Sequence, residues 1–175
     1  DGALWPCASI FTADPETVAL FEKLDLQIPF LKEHPDFPAQ LVRLCPRFDA
    51  SAAVQILAAA GVEALKKRWE SKNLPIADLM AWFENRRQQI LANPTLKRAL
   101  ANLPIFPSAG RLRPLTGLAL PGNFDDPLGV AELVDLSVLG DRRGFLSDLD
   151  APDLEFPTYA ASMLPKILSD AELPA

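Results

Sequence analysis

Proline is the residue that most limits what this chain can become. Seventeen of its 175 residues are proline. Each one fixes φ, removes a backbone donor and clashes with the preceding turn if it falls inside a helix. Helices must therefore fit between prolines or begin on them. The first hundred residues read accordingly, as helices joined by proline punctuation. Asp14-Pro15 is a cap followed by proline at the first helical position, with Val18, Phe21 and Leu24 as the apolar stripe. Phe37, Leu41, Leu44 and Cys45 recur at helical spacing until Pro46 stops the run. Asp49 or Ser51 caps an alanine-rich helix through Val54 and Leu57, which Gly61 ends. Val62, Leu65 and Trp69 add a further turn or two. Pro75 then opens the clearest helix, with Ile76, Leu79, Met80, Phe83, Ile90 and Leu91 on one side. Asp78, Glu84, Asn85, Gln88 and Gln89 lie on the other.

At Asn93-Pro94 the helical period weakens, and from Leu103 the texture changes. Six of the eight glycines and nine of the seventeen prolines lie at or beyond residue 104. Ile105-Phe106, Leu112-Arg113 and Leu118–Leu120 are short strand candidates set between Gly and Pro turn signals. Ser108-Ala109-Gly110 predicts a hairpin turn. Helical periodicity returns at Phe145–Leu149 and again at Ala160, Met163, Leu164, Ile167 and Leu168. Pro157 suits an early helical position there, and Pro165 kinks or divides that helix. The expectation is a single α+β domain over 1–175, predominantly helical, with two sub-parts: a helical part over 1–102, then a mixed part over 103–175 with a small antiparallel hairpin and C-terminal helices. Leu103–Gly122 reads as the hinge between the two, with its apolar side chains buried.

Few residues here suit catalysis. Gly110, Gly117 and Gly122 miss the dinucleotide spacing, and prolines 104, 107, 114 and 121 remove the amide donors a phosphate loop needs. His34 is the only histidine, so any Ser-His-Asp or Cys-His arrangement has to use it. It sits in a turn between helices with no nucleophile beside it. His34-Pro35-Asp36 is the J-domain tripeptide, but neither flank carries the J-domain pattern. Asp125, Asp126, Glu132 and Asp135 are the one carboxylate group that suggests a divalent cation, and with it a hydrolase or nuclease. Their spacing matches no calcium loop, and Asp125-Asp126-Pro127 reads more simply as a cap. On the long helix, Trp82, Arg86 and Arg87 offer an aromatic and basic surface for a partner, with Trp82 at the edge of the core.

Charge narrows the partners. Residues 1–103 balance 12 acidic against 12 basic side chains, whereas residues 104–175 carry 11 acidic and 5 basic, which is the whole net charge of −6. An acidic second part repels nucleic-acid phosphates and anionic lipid. No apolar run reaches the length of a membrane helix. Cys7 and Cys45 are too few for a disulfide scaffold or a cysteine-built zinc site, and read as buried reduced thiols of a cytoplasmic protein. With 49% hydrophobic residues the chain can bury a sizeable core.

Leu103-Pro104-Ile105-Phe106, a glycine turn and Leu118-Ala119-Leu120-Pro121-Gly122-Asn123-Phe124 form one block. Gly144–Leu149, Leu154-Glu155-Phe156-Pro157-Thr158-Tyr159 and Met163-Leu164-Pro165-Lys166 form a second. Over roughly residues 75–170 this text resembles the repeated module of sacsin and bacterial sacsin-like proteins. The resemblance implies a segment of a very large multidomain protein with chaperone-like or quality-control roles. Such proteins carry an ATP-binding fold of the gyrase, histidine-kinase and MutL class elsewhere. That fold's Asn-bearing helix and Asp-x-Gly-x-Gly motif do not occur here, so no cofactor site is carried over. The implied partners are other domains of the same parent chain or protein clients.

Overall fold

The computed structural model describes residues 9–26, 28–31, 42–71, 74–124, 126, 129, 131–162 and 165. His34, Cys7, Asp125, Met163 and Leu164 lie outside them, as does most of the run expected to form a helix through Phe37 and Leu41. The chain divides into two compact units, Asp1–Ile90 and Leu91–Ala175.

In the first unit, two helix starts follow cap chemistry. Helix α1 (Pro15–Lys23) begins where the Asp14 carboxylate accepts from the Thr17 amide at 2.7 Å, with Pro15 needing no partner at the first position. Helix α2 (Ala50–Ala60) is capped by Asp49, which accepts from the Ala52 amide at 2.9 Å, so Asp49 rather than Ser51 is the cap. Gly61 ends α2 at φ +79° and opens α3 (Val62–Glu70). Helix α4 (Ile76–Glu84) carries the apolar stripe, and Leu79, Met80 and Phe83 are fully buried.

The expected long helix stops at Asn85 and resumes as α5 (Arg87–Leu91). The break has a local cause. The Arg86 guanidinium donates to the Trp82 carbonyl at 3.1 Å, while the Arg86 amide donates to Phe83 instead at 2.9 Å. A side chain thus caps one of the last carbonyls of α4. Around these helices the core is aromatic. Phe48 packs edge-on to Phe11, Phe21 and Phe30, with centroids 4.7–5.4 Å apart, and Trp82 adjoins Phe21 and Phe83.

The second unit starts with α6 (Pro94–Ala101), a helix that repeats the cap-then-proline device. Asn93 accepts from the Thr95 and Leu96 amides at 3.1 Å. Strands β1 (Phe106–Ser108) and β2 (Arg111–Arg113) form an antiparallel hairpin, with Phe106 opposite Arg113 and Ser108 opposite Arg111. Its two turn residues, Ala109 and Gly110, have φ of +48° and +75°, the backbone a primed type I turn requires. Strand β1 is buried throughout and β2 faces outward.

One backbone hydrogen bond ties this hairpin to further extended pieces, which isolated parallel bridges join to one another. The Asp135 amide donates to the Pro107 carbonyl at 2.8 Å. Ala119 bridges Leu133, and Leu120 bridges Asp153. The extended pieces therefore run in the order 111–113, 106–108, 133–135, 118–120 and 152–154. Leu103–Gly122 lies inside the second unit and forms part of this layer, so it is not a hinge between two halves. A turn of 3₁₀ helix at Leu115–Gly117 links β2 to the strand candidate at Leu118–Leu120, which pairs only through single bridges.

Helices α7 (Leu136–Leu139), α8 (Arg143–Asp148) and α9 (Phe156–Ser162) complete the unit. Phe145 and Leu146 of α8 are fully buried, as are Ile105, Phe106 and Leu120 of the extended layer. The architecture is α+β and mostly helical, with one small antiparallel hairpin and helices after it.

Candidate functional site

Trp82 of α4 does not present its ring to a partner. It is 7% exposed, and its indole N–H donates to the Thr17 hydroxyl at 2.8 Å. A large aromatic with one polar atom is buried readily when that atom finds an acceptor, and α1 supplies one. Thr17 is 1% exposed and fully used. Its hydroxyl donates to Asp14 at 2.9 Å and accepts from Trp82 and, at 3.3 Å, from Arg86. The Arg86 guanidinium lies 3.7 Å from the Trp82 ring centroid and 3.6 Å from the Asp14 carboxylate.

Electrostatics follow from that arrangement. The Thr17 amide holds the Asp14 carboxyl below its ordinary value; burial opposes this, and the Thr17 hydroxyl and Arg86 reinforce it. Burial lowers Arg86, with Asp14 opposing, but a guanidinium starts so high that it stays charged. Arg87 is half-buried at the start of α5. A shallow groove of about 390 Å³ runs beside the cluster between α1 and α4, rimmed by Glu16, Lys23 and Asp78. Of the three residues expected at a partner surface, Trp82 and Arg86 join Asp14 and Thr17 in a polar staple between α1 and α4, and Arg87 lies outside it. Only the spacing of Trp82 and Arg86, four apart on one helix, hinted at it. Nothing in the sequence marks Thr17 as its centre.

The carboxylates of the second unit have separate tasks. Asp126 accepts from the Ala131 amide at 2.6 Å, and Glu132 pairs with Arg113 at 2.9 Å. Asp135 caps α7, accepting from the Ser137 hydroxyl at 2.6 Å and the Ser137 and Val138 amides. Among the described residues no three His, Cys, Asp or Glu side chains gather as they would around a metal ion. Among them, too, no helix is long and apolar enough to cross a membrane.

An aromatic groove of about 660 Å³ opens elsewhere in this unit, between Pro121–Phe124 and Asp153–Pro157. The parallel bridge between Leu120 and Asp153 brings these two segments together at their amino ends. Gly122 makes the approach possible, because a Cβ there would stand 2.2 Å from the Leu154 carbonyl oxygen. Arg143 clamps the floor through the Pro121 carbonyl and the Asp153 carboxylate.

On the groove's wall, Phe124 meets Phe156 at 5.7 Å and Tyr159 at 5.1 Å between centroids. Tyr159 is buried. Burial first, and then the Asp126 carboxylate, push its phenol above the ordinary range. Phe156 stays 60% exposed. A pattern search passes over this groove, because Phe124 and Phe156 become neighbours only through the long-range pairing of 120 with 153. No protein-family model matches this chain, and neither a curated protein nor a solved structure matches it.

Proposed function

We propose that this chain is a non-catalytic structural and interaction module of a larger sacsin-like, chaperone-associated or quality-control protein of the cytoplasm. Its contact surface is the Phe124–Phe156 groove, and its partners are other domains of the parent chain or protein clients that offer an apolar segment. The observation that carries this reading is the exposure of Phe156. Of the residues that carry the likeness to the sacsin module, Leu103, Phe106, Leu120, Phe145, Leu149 and Tyr159 are buried, which core packing explains. Phe156 is not, and it stands in a groove beside a second aromatic ring. Exposed aromatics at the centre of a concave patch are the residue type from which interface hot spots are built. The polar candidates support the same reading, since Asp14, Thr17, Trp82, Arg86, Glu132 and Asp135 each serve a cap or a staple.

The test is calorimetric titration with a permanently unfolded, carboxymethylated client protein, in parallel with an ATP-hydrolysis assay. Binding with Kd on the order of 1–100 μM is expected, and Phe156→Ser should weaken it by about tenfold or more with an unchanged thermal midpoint. Absence of binding, or ATP turnover by this chain, would overturn the proposal.

A further inference from the structure

A second concavity, separate from the aromatic groove, has the build of a small-molecule site. It lies within the second unit and encloses about 470 Å³. Ala101, Leu115 and Leu149 form its buried apolar floor. Four polar residues stand around its mouth: Lys97, Arg98, Thr116 and Asp150. A concavity of this size, part apolar and part polar, with a few convergent charged groups lies in the size range of small-ligand sites.

The charges at the mouth run against those of the unit. Residues 91–175 carry 11 acidic and seven basic side chains, yet here two cations face one carboxylate. Lys97 and Arg98 are consecutive on α6, about 100° apart around the axis, and so flank the opening. The Lys97 side chain is 23% exposed, its stem lying along the cavity and its ammonium 2.7 Å from the Asp150 carboxylate. Asp150 itself is 81% exposed. An ion pair with one largely solvated partner contributes little stability, so Asp150 is a counter-ion that another anion can replace at small cost. What would then occupy the site needs one negative group for Lys97 and Arg98 and a hydrocarbon body for the leucine floor.

We infer that this cavity binds a small amphiphilic carboxylate, with Lys97 and Arg98 taking the carboxylate in place of Asp150 and Leu115 and Leu149 covering the apolar body. The experiment titrates the isotope-labelled chain with sodium octanoate and follows backbone amide signals, with octan-1-ol and octylammonium as matched controls. Octanoate should saturate with a Kd below about 1 mM. The shifts should centre on residues 97, 98, 116 and 149–151, with far weaker effects from the two controls. Lys97→Met should weaken binding by about tenfold, at a thermal midpoint within a few degrees of the parent.

Asp150→Asn gives the sharper reading. Asparagine tolerates the left-handed backbone at this position, where φ is +67°. Removing the competing carboxylate should tighten octanoate binding several-fold, an effect that a purely structural ion pair would not produce. Unsaturable shifts, equal binding of octylammonium or octanol, or no gain in Asp150→Asn would overturn the inference.

Discussion

Thr17 shows how much one small polar side chain can organise. It reads as an ordinary residue in the first turn of a helix, yet it joins a cap, an indole and a guanidinium in a single buried cluster. Thr17→Val keeps the shape and removes every hydrogen bond of the hydroxyl. The Trp82 N–H is then buried without its acceptor, and a loss of about 1–3 kcal/mol is expected in urea unfolding. Thr17→Ser, which keeps the hydroxyl, should lose less.

Asp14 adds a pH dependence of defined sign. Its native carboxyl binds a proton more weakly than in the unfolded chain. It therefore contributes stability above its ordinary value of 3.8 and loses that contribution as pH falls through the lowered native value. The thermal midpoint of the parent should thus fall more steeply than that of Asp14→Asn on acidification below that value. Parallel curves would mean that Asp14 does not carry the effect.

At the scale of elements, local chemistry was legible and long-range pairing was not. Asp14-Pro15, Asp49 and Gly61 mark helix ends because the groups that satisfy those ends are neighbours in sequence. Asn93-Pro94 carries the same signal, and α6 follows it, although the apolar period weakens there. The break at Asn85 escaped because the apolar period runs on through Ile90, while the cause is a side chain reaching back to the Trp82 carbonyl. The hairpin was legible from its turn.

That turn also holds some strain, since alanine costs about 1–2 kcal/mol in the left-handed region and Ala109 sits at φ +48°. Ala109→Asn, giving the Asn-Gly pair that such turns favour, should raise stability by about 0.5–1 kcal/mol. Gly122 is held by space instead of torsion. Gly122→Ala forces a methyl onto the Leu154 carbonyl and should cost about 1–3 kcal/mol, read as a lower urea midpoint. It should also separate the two walls of the aromatic groove.

At the scale of the whole molecule, the chain divides into two units at residues 90 and 91, each with its own buried core, whereas the change of texture in the sequence comes later, at Leu103. The division falls before α6, a helix that proline spacing groups with the first hundred residues. Among the described residues, Asp14, Trp82, Arg86, Asp126, Glu132 and Asp135 are used in holding elements in place, and in the second unit one aromatic face is left open. The groove at that face was invisible in the sequence, where Phe124 and Phe156 are far apart and only the fold joins them.

Amide hydrogen exchange of the chain, alone and saturated with the unfolded client, tests this placement most directly. New protection is expected over residues 122–124 and 153–156, and none of it in Phe156→Ser. Protection centred on the α1–α4 groove beside Arg86, or no change under saturating client, would contradict the assignment of the contact surface.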